Sequence, residues 1–150
     1  MRRIARIKNR SMEPTLKNKD LLITSSVTKE TELDRGEIVI VKLDLDSEKL
    51  SVKRIIGLQN ELLEIDSGQI YIDGAPLSEP YIDNLPKSRG LEHLTCQIPG
   101  GHVFLLSDFR NSHHVVDSRT LGPISISKIT DVARLRTVSY THLRAHETLR

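Results

Sequence analysis

Aromatic residues are scarce in this sequence. It has no tryptophan, two phenylalanines and three tyrosines, so that aromatics make up 3% of the 150 residues. A hydrophobic core must therefore be built from Ile, Leu and Val, which favours β-strands. The length is that of one ordinary domain, which buries about two-thirds of the surface of its unfolded chain.

Cysteine is almost absent as well. The single Cys96 excludes an intrachain disulfide and leaves the redox compartment open. A lone cysteine is typically a small packed hydrophobe, and we expect that of Cys96. His113 and His114 are adjacent and would point to opposite faces of a strand, so they are interpreted as surface residues. No spacing of His and Cys predicts a metal site.

The sequence also lacks a long apolar run. No window approaches the roughly 20 apolar residues of a membrane-spanning helix, and the start has no signal-peptide core. The net charge of +2 is too mild to predict a nucleic-acid partner. The first ten positions nevertheless hold five basic residues: Arg2, Arg3, Arg6, Lys8 and Arg10. They form either a solvated strand face or a surface attracted to anionic lipid.

Two stretches hold residue types that a hydrolase needs. Ser11 lies ahead of Pro14 in residues 11–16, SMEPTL, where proline ends the preceding strand and leaves the serine on a bend. Lys53 lies in residues 52–57, VKRIIG, an apolar run typical of a strand. Taken singly, such a serine is usually a turn residue and such a lysine is usually solvated.

Together, the two side chains supply a nucleophile and a base. A serine hydroxyl needs a base to take its proton, and a lysine amine does so only when it is uncharged. Burial among apolar groups lowers the lysine pKa from ~10.4 to roughly 7–8, where proton transfer is efficient. Strand alternation places Lys53 on one face with Ser51 and Ile55, and Arg54 on the other. We therefore expect an apolar environment around the amine.

Both stretches resemble boxes of the type I signal peptidases. SMEPTL is similar to the nucleophile box and VKRIIG to the general-base box. Residues 107–112, SDFRNS, and 117–124, DSRTLGPI, are similar to the Gly-Asp-Asn-Arg and Asp-Ser-Arg-x-x-Gly boxes. The resemblance implies a serine endopeptidase that removes signal peptides from pre-proteins, with Ser11 as nucleophile, Lys53 as general base and no cofactor.

The resemblance extends to residues around this pair. It implies an oxyanion hole formed by the backbone N–H of Ser11 and a group from Asn9, where the family has Ser or Gly. Asp117 and Arg119 match the family letter for letter, which implies a partly buried bridge that stiffens the floor under Lys53.

The third box departs from the family pattern. Ser107 and Phe109 replace its Gly and Asn, whereas Asp108 matches as a supporting residue. Six residues separate the two halves of the box where the family commonly has four. Val115 therefore stands where the family has a serine that orients the lysine, and Ser112 takes that role only if the extra residues bulge.

The predicted fold is mostly β: a signal-peptidase-like sheet or partly open barrel with long loops and little helix. We expect strands near residues 3–8, 21–27, 37–43, 51–57, 102–106 and 127–135, and a hairpin over 62–72. Residues 75–101 hold four prolines and predict a surface loop and flap.

Residues 1–136 are predicted to form the catalytic domain. Residues 137–150 do not continue its pattern, and residues 138–148 resemble a translated transposon-type sequencing adapter, with a natural polar tail as the alternative. Signal peptidases usually carry an anchor helix before the nucleophile box. Its absence predicts either a naturally short member or a true start upstream of Met1. The resemblance implies membrane association at the extracytoplasmic face, with an extended peptide as substrate.

Three other functions remain open. One is a soluble relative that trims propeptides, and another is a catalytically impaired binding module, which Asn9 and the shifted Ser112 favour. The third is a self-cleaving repressor, which shares a Ser-Met-x-Pro motif but needs a DNA-binding region ahead of Ser11, where only ten residues stand.

Overall fold

The structure is a computed structural model that describes residues 1–43, 49–82, 93–110 and 116–137, with side chains up to Arg134. Its strands are β1 (Arg2–Arg6), β2 (Leu21–Ser26), β3 (Ile38–Val41), β4 (Ser51–Gly57), β5 (Leu62–Asp66), β6 (Gln69–Ile72), β7 (Ala75–Pro76), β8 (His93–Gln97), β9 (His102–Leu106), β10 (Ile124–Ser125) and β11 (Ile129–Thr137). One short helix, α1 (Ser118–Leu121), and two 3-10 turns, Pro80–Ile82 and Ile126–Lys128, complete the described elements.

The strands form two antiparallel sheets. One has seven strands in the order β1-β2-β11-β3-β4-β9-β10, and the other has four in the order β7-β6-β5-β8. Within the described ranges neither sheet closes on itself. The prediction of a mostly β fold with little helix is confirmed. The helical segments of these ranges are too short to cross a bilayer.

Strand β4 lies at the junction of two hydrophobic cores because both of its faces are buried. Ile55 packs in a cluster with Val39 and Leu105. The next residue, Ile56, points the other way. It packs with Phe104 of β9 and with Leu63 of β5, which belongs to the second sheet. Alternation along one strand therefore joins the two sheets. It also places Lys53 on the Ile55 side, as the sequence predicts.

The hairpin over residues 62–72 is confirmed. Strands β5 and β6 pair antiparallel with Asp66 opposite Gln69. The two residues between them, Ser67 and Gly68, both have positive φ, which the tight turns of two-residue hairpins require.

The interpretation of residues 75–101 as a loop was wrong in part. Strand β8 lies within this segment and pairs with β5 along its whole length. Leu94 and Cys96 alternate toward the second cluster and pack against it, as expected for a small packed cysteine. The four prolines of the segment predicted a loop, but β8 itself contains none, and Pro99 comes only after the strand has ended.

The last strand begins two residues later than predicted. Ser125 accepts a hydrogen bond from the N–H of Ser127 and starts a 3-10 turn over Ile126–Lys128. Serine is a favourable cap because its hydroxyl satisfies a free N–H. The chain therefore becomes extended only at Ile129.

Gly57 is closely packed on β4. A Cβ atom at this position would lie 2.4 Å from Cδ1 of Ile98 and 3.2 Å from Cβ of Phe104. We predict that Gly57→Ala lowers the free energy of unfolding by about 1–3 kcal/mol through overpacking. Denaturant titration measures the change. Gly100→Ala is the matched control, because its nearest neighbour atom would lie 3.8 Å away. Equal stability of the two variants would contradict this packing.

Candidate active site

Ser11 begins a turn whose position is set from two sides. Met12 and Leu16 are buried in a cluster with Ile7 and Leu22. The N–H of Leu16 donates to the carbonyl of Met12 at 2.9 Å, which closes the turn. The carbonyl of Ser11 accepts a hydrogen bond of 2.9 Å from the N–H of Phe109. The serine is therefore held beside the chain that follows β9, and its side chain stays partly accessible.

Asn9 forms hydrogen bonds with two polar groups of Ser11. Its Oδ1 accepts the Ser11 hydroxyl at 2.8 Å and the Ser11 backbone N–H at 3.0 Å. A backbone N–H only donates, so the amide atom that it contacts must be the oxygen. The NH₂ group of Asn9 therefore points away from Ser11 in this conformation. The expectation that this amide donates into an oxyanion hole requires the side chain to turn over.

Lys53 is a buried lysine. It is 4% exposed, and its Nζ donates to Oγ of Ser107 at 2.8 Å. Burial lowers the pKa of Lys53 to about 8, while Asp117 raises that pKa and Arg119 lowers it. The sequence predicts this direction from the apolar strand pattern, because desolvation disfavours the ammonium.

Ser11 and Lys53 are not joined directly in the part of the chain described. The serine hydroxyl donates to Asn9 and the amine donates to Ser107. The main chain connects them instead, since Phe109 holds Ser11 and lies two residues after Ser107. A dyad therefore requires the hydroxyl to leave Asn9 and turn toward the amine.

A buried ion pair connects the serine turn to the lysine strand. Arg54 donates to both oxygens of Asp108, at 2.9 Å and 2.7 Å. Thr15 from the serine turn donates its hydroxyl to the same carboxylate. The Arg54 guanidinium also lies 3.7 Å from the ring centroid of Tyr81, which adds a cation–π contact. Asp108 thus links residue 15 of the turn to the neighbour of Lys53.

The predicted bridge between Asp117 and Arg119 is confirmed. Arg119 donates to the two carboxylate oxygens at 3.0 Å and 2.8 Å, and the side chain of Asp117 is almost fully buried. Asp117 also accepts from the backbone N–H of Ser107 at 3.1 Å. The bridge therefore reaches the residue that holds Lys53.

Sequence reasoning missed Ser107 as a partner of Lys53, and it missed two residues in the segment interpreted as a loop. These two residues are Glu79 and Tyr81. The Glu79 carboxylate accepts hydrogen bonds from both terminal nitrogens of Arg110, at 3.1 Å and 2.6 Å, and from the hydroxyl of Tyr81 at 2.6 Å. Burial, and then the Glu79 carboxylate, raise the pKa of Tyr81. Of these residues, only Ser107 could have been identified from the sequence, because it has a hydroxyl where the family has glycine.

Other predicted residues are not placed. Ser112, His113, His114 and Val115 lie outside the described residues, so the structure leaves the expectation for Ser112 as it stands. Among the described residues no three His, Cys, Asp or Glu side chains are grouped to hold a metal ion.

A serine turn beside a buried, easily deprotonated amine on a mostly β scaffold is typical of serine peptidases that use lysine as their base. The family described as signal peptidase, peptidase S26, matches residues 2–138. The chain belongs to this family and is a serine endopeptidase.

Individual relatives agree with this assignment. The chain is 31% identical to signal peptidase I S of Bacillus subtilis (strain 168) over 89% of its length and 76% of that protein. It is 33% identical to a signal peptidase I of Bacillus amyloliquefaciens, over 85% of this chain and 69% of that one. Its fold is similar to a signal peptidase I structure from Enterococcus faecalis V583, with a TM-score of 0.55 and 24% identity over 66% of this chain and 94% of the other.

Because burial disfavours the Lys53 ammonium, we expect that replacing Lys53 by an apolar residue increases the stability of the protein. A lysine whose folded pKa is about 8 instead of 10.5 costs about 3 kcal/mol of stability below pH 8. We predict that Lys53→Met unfolds at higher denaturant concentration than wild type at pH 7. As the pH rises, Lys53 loses its proton in the folded state before it does so in the unfolded state. The free energy of unfolding of wild type should therefore increase relative to that of the variant between pH 8 and about 10.5. A pH-independent difference would contradict the lowered pKa.

Proposed function

We propose that Ser11 is the nucleophile and Lys53 the general base of a peptidase that removes signal peptides from pre-proteins. The observation that carries the proposal is the buried Lys53 amine, whose pKa is lowered to about 8 beside the segment that anchors the serine turn. Neither member of a Ser-Lys pair works alone, because the hydroxyl needs a base and the base needs desolvation.

The chemistry follows from these two groups. Uncharged Lys53 takes the proton of the Ser11 hydroxyl as Oγ attacks the carbonyl carbon of the scissile bond. The Lys53 ammonium then gives that proton to the leaving amine, and the acyl group remains on Ser11 as an ester. Lys53 next takes a proton from a water molecule, which attacks the ester carbon, and the Lys53 ammonium returns that proton to Ser11 Oγ as the carboxylic acid product leaves. One amine thus serves both halves of the reaction.

The oxyanion hole needs a rearrangement at Asn9. The Ser11 N–H now donates to Asn9 Oδ1 at 3.0 Å, which is the position that a substrate oxygen would take. In our proposal the substrate carbonyl displaces Oδ1, and the Asn9 side chain turns so that its NH₂ group donates to the same oxygen. The same movement frees the Ser11 hydroxyl for Lys53. Donors that await the developing charge commonly lower the barrier by about 3–4 kcal/mol.

An unpaired strand edge next to Lys53 supports binding of an extended peptide. Strand β9 pairs with β4 from Arg54 onward, with Arg54 opposite Leu106. Within the described residues the same edge of β4 has no partner strand from Ser51 to Lys53. A substrate that adds as a strand there gains main-chain hydrogen bonds and brings its scissile bond toward the amine. The family resemblance favours small side chains one and three positions before the cut.

We also propose that the protein acts at a membrane surface, on its extracytoplasmic side. The basic residues of β1 are exposed, and each contributes about 1 kcal/mol near anionic headgroups. Arg3 is partly committed elsewhere, because it forms an ion pair of 2.6 Å with Asp131. Arg2 and Arg6 are the strand residues that remain for lipid.

A cleavage assay tests the dyad. We predict that Ser11→Ala and Lys53→Ala each abolish cleavage of a pre-protein with an Ala-x-Ala site. Lys53→Arg should fail as well, because guanidinium stays protonated. The readout is the shortened product on a gel and by mass spectrometry, with circular dichroism to verify that each variant folds.

Two exposed residues provide matched controls for this assay, Ser127→Ala and Lys29→Ala. Both should cleave like wild type. Cleavage by folded Ser11→Ala would refute the nucleophile. An inactive wild type would favour the binding-module alternative, and cleavage of propeptides without signal peptides would favour the trimming relative.

A further inference from the structure

We infer that Ser107 is the residue that orients the Lys53 amine, in place of the serine that the family carries near Asp117. This inference rests on the proposed role of Lys53 as the base. Ser107 is fully buried, and its Oγ lies 2.8 Å from Nζ of Lys53. The position two residues before Asp117, where the family has its orienting serine, holds Val115, whose hydrocarbon side chain accepts no hydrogen bond.

The main chain of Ser107 is fixed at both of its polar groups. Its N–H donates to Asp117 Oδ2 at 3.1 Å, and its carbonyl accepts from Nε of Arg110. Each of these partners is held in turn, Asp117 by Arg119 and Arg110 by Glu79. These contacts hold the Ser107 backbone where its hydroxyl reaches the Lys53 amine.

Orientation matters because an uncharged amine has one lone pair and two N–H groups. When one N–H donates to Ser107, rotation about the Cε–Nζ bond is restricted. The lone pair can then be directed at the Ser11 hydroxyl, which is the geometry that proton transfer requires. Losing such positioning commonly reduces rates by about a hundredfold without removing any reacting group.

The neighbouring charges belong to this arrangement. Asp117 and Arg119 act on Lys53 with opposite effects on its pKa, and their mutual bridge keeps them in place. Arg54 lies on the other face of β4 and is paired with Asp108. Among the residues that the structure describes, Ser107 is the neutral side chain that donates or accepts a hydrogen bond with the amine, and its removal leaves these charges in place.

The test is the pH dependence of cleavage by Ser107→Ala and Ser107→Gly, the second of which carries the family's own residue at this position. We expect kcat to fall about tenfold to a hundredfold with little change in KM. We expect the acidic limb near pH 8 in wild type and at lower pH in both variants, because a hydroxyl acceptor stabilises the ammonium more than the amine.

Ser118→Ala is the matched control. Ser118 is equally buried, but its hydroxyl accepts the N–H of Leu105 at 2.9 Å instead of the lysine. This variant should lower the melting temperature and leave the acidic limb in place. Unchanged kcat and an unchanged limb in both Ser107 variants would overturn the inference. So would a shifted limb in Ser112→Ala, which would assign the role to Ser112.

Lys53→Ala separates this inference from the proposed function. An active Lys53→Ala variant would refute the base itself. An inactive Lys53→Ala together with wild-type behaviour of both Ser107 variants would refute only the orienting role.

Discussion

The candidate active site depends on keeping one lysine amine away from water. Lys53 is 4% exposed on a strand with both faces buried, and this desolvation makes the amine available as a base near neutral pH. The same burial opposes folding, because the ammonium is the form that burial disfavours. A site that costs stability persists where function needs it.

Buried charges around the amine supply its geometry. Asp108 and Asp117 are each held by an arginine, and each reaches one part of the proposed dyad: Asp108 holds the serine turn through Thr15, and Asp117 holds Ser107. Breaking such a buried pair leaves an unpaired charge in a low dielectric, which is strongly unfavourable. The serine turn and the lysine strand therefore keep their relative position through side chains that do no chemistry.

The sequence predicts the local features of this site better than its long-range partners. The mostly β fold, the bend at Ser11 and the lowered pKa of Lys53 follow from patterns within a few residues, whereas the buried Asp117–Arg119 bridge was implied by the family resemblance. The contact of Ser107 with Lys53 joins positions 54 residues apart, and Glu79 reaches Arg110 from a proline-rich segment. Strand β8 lies in the segment whose prolines predicted a loop, and its partner, β5, lies about thirty positions earlier in the chain. Such pairings arise from the topology of the sheets, which propensity and period do not encode.

Catalysis by Ser11 and Lys53 requires the Lys53 amine to approach the Ser11 hydroxyl. A crystal structure with a peptide whose C-terminal alanine is an aldehyde tests it most directly, since a serine nucleophile adds to that carbon as a hemiacetal. We predict a bond from Ser11 Oγ to the aldehyde carbon, with Lys53 Nζ within about 3.2 Å of Oγ. The hemiacetal oxygen should replace Asn9 Oδ1 on the Ser11 N–H. An adduct on another residue, or an amine separated from Ser11 by solvent, would contradict the account.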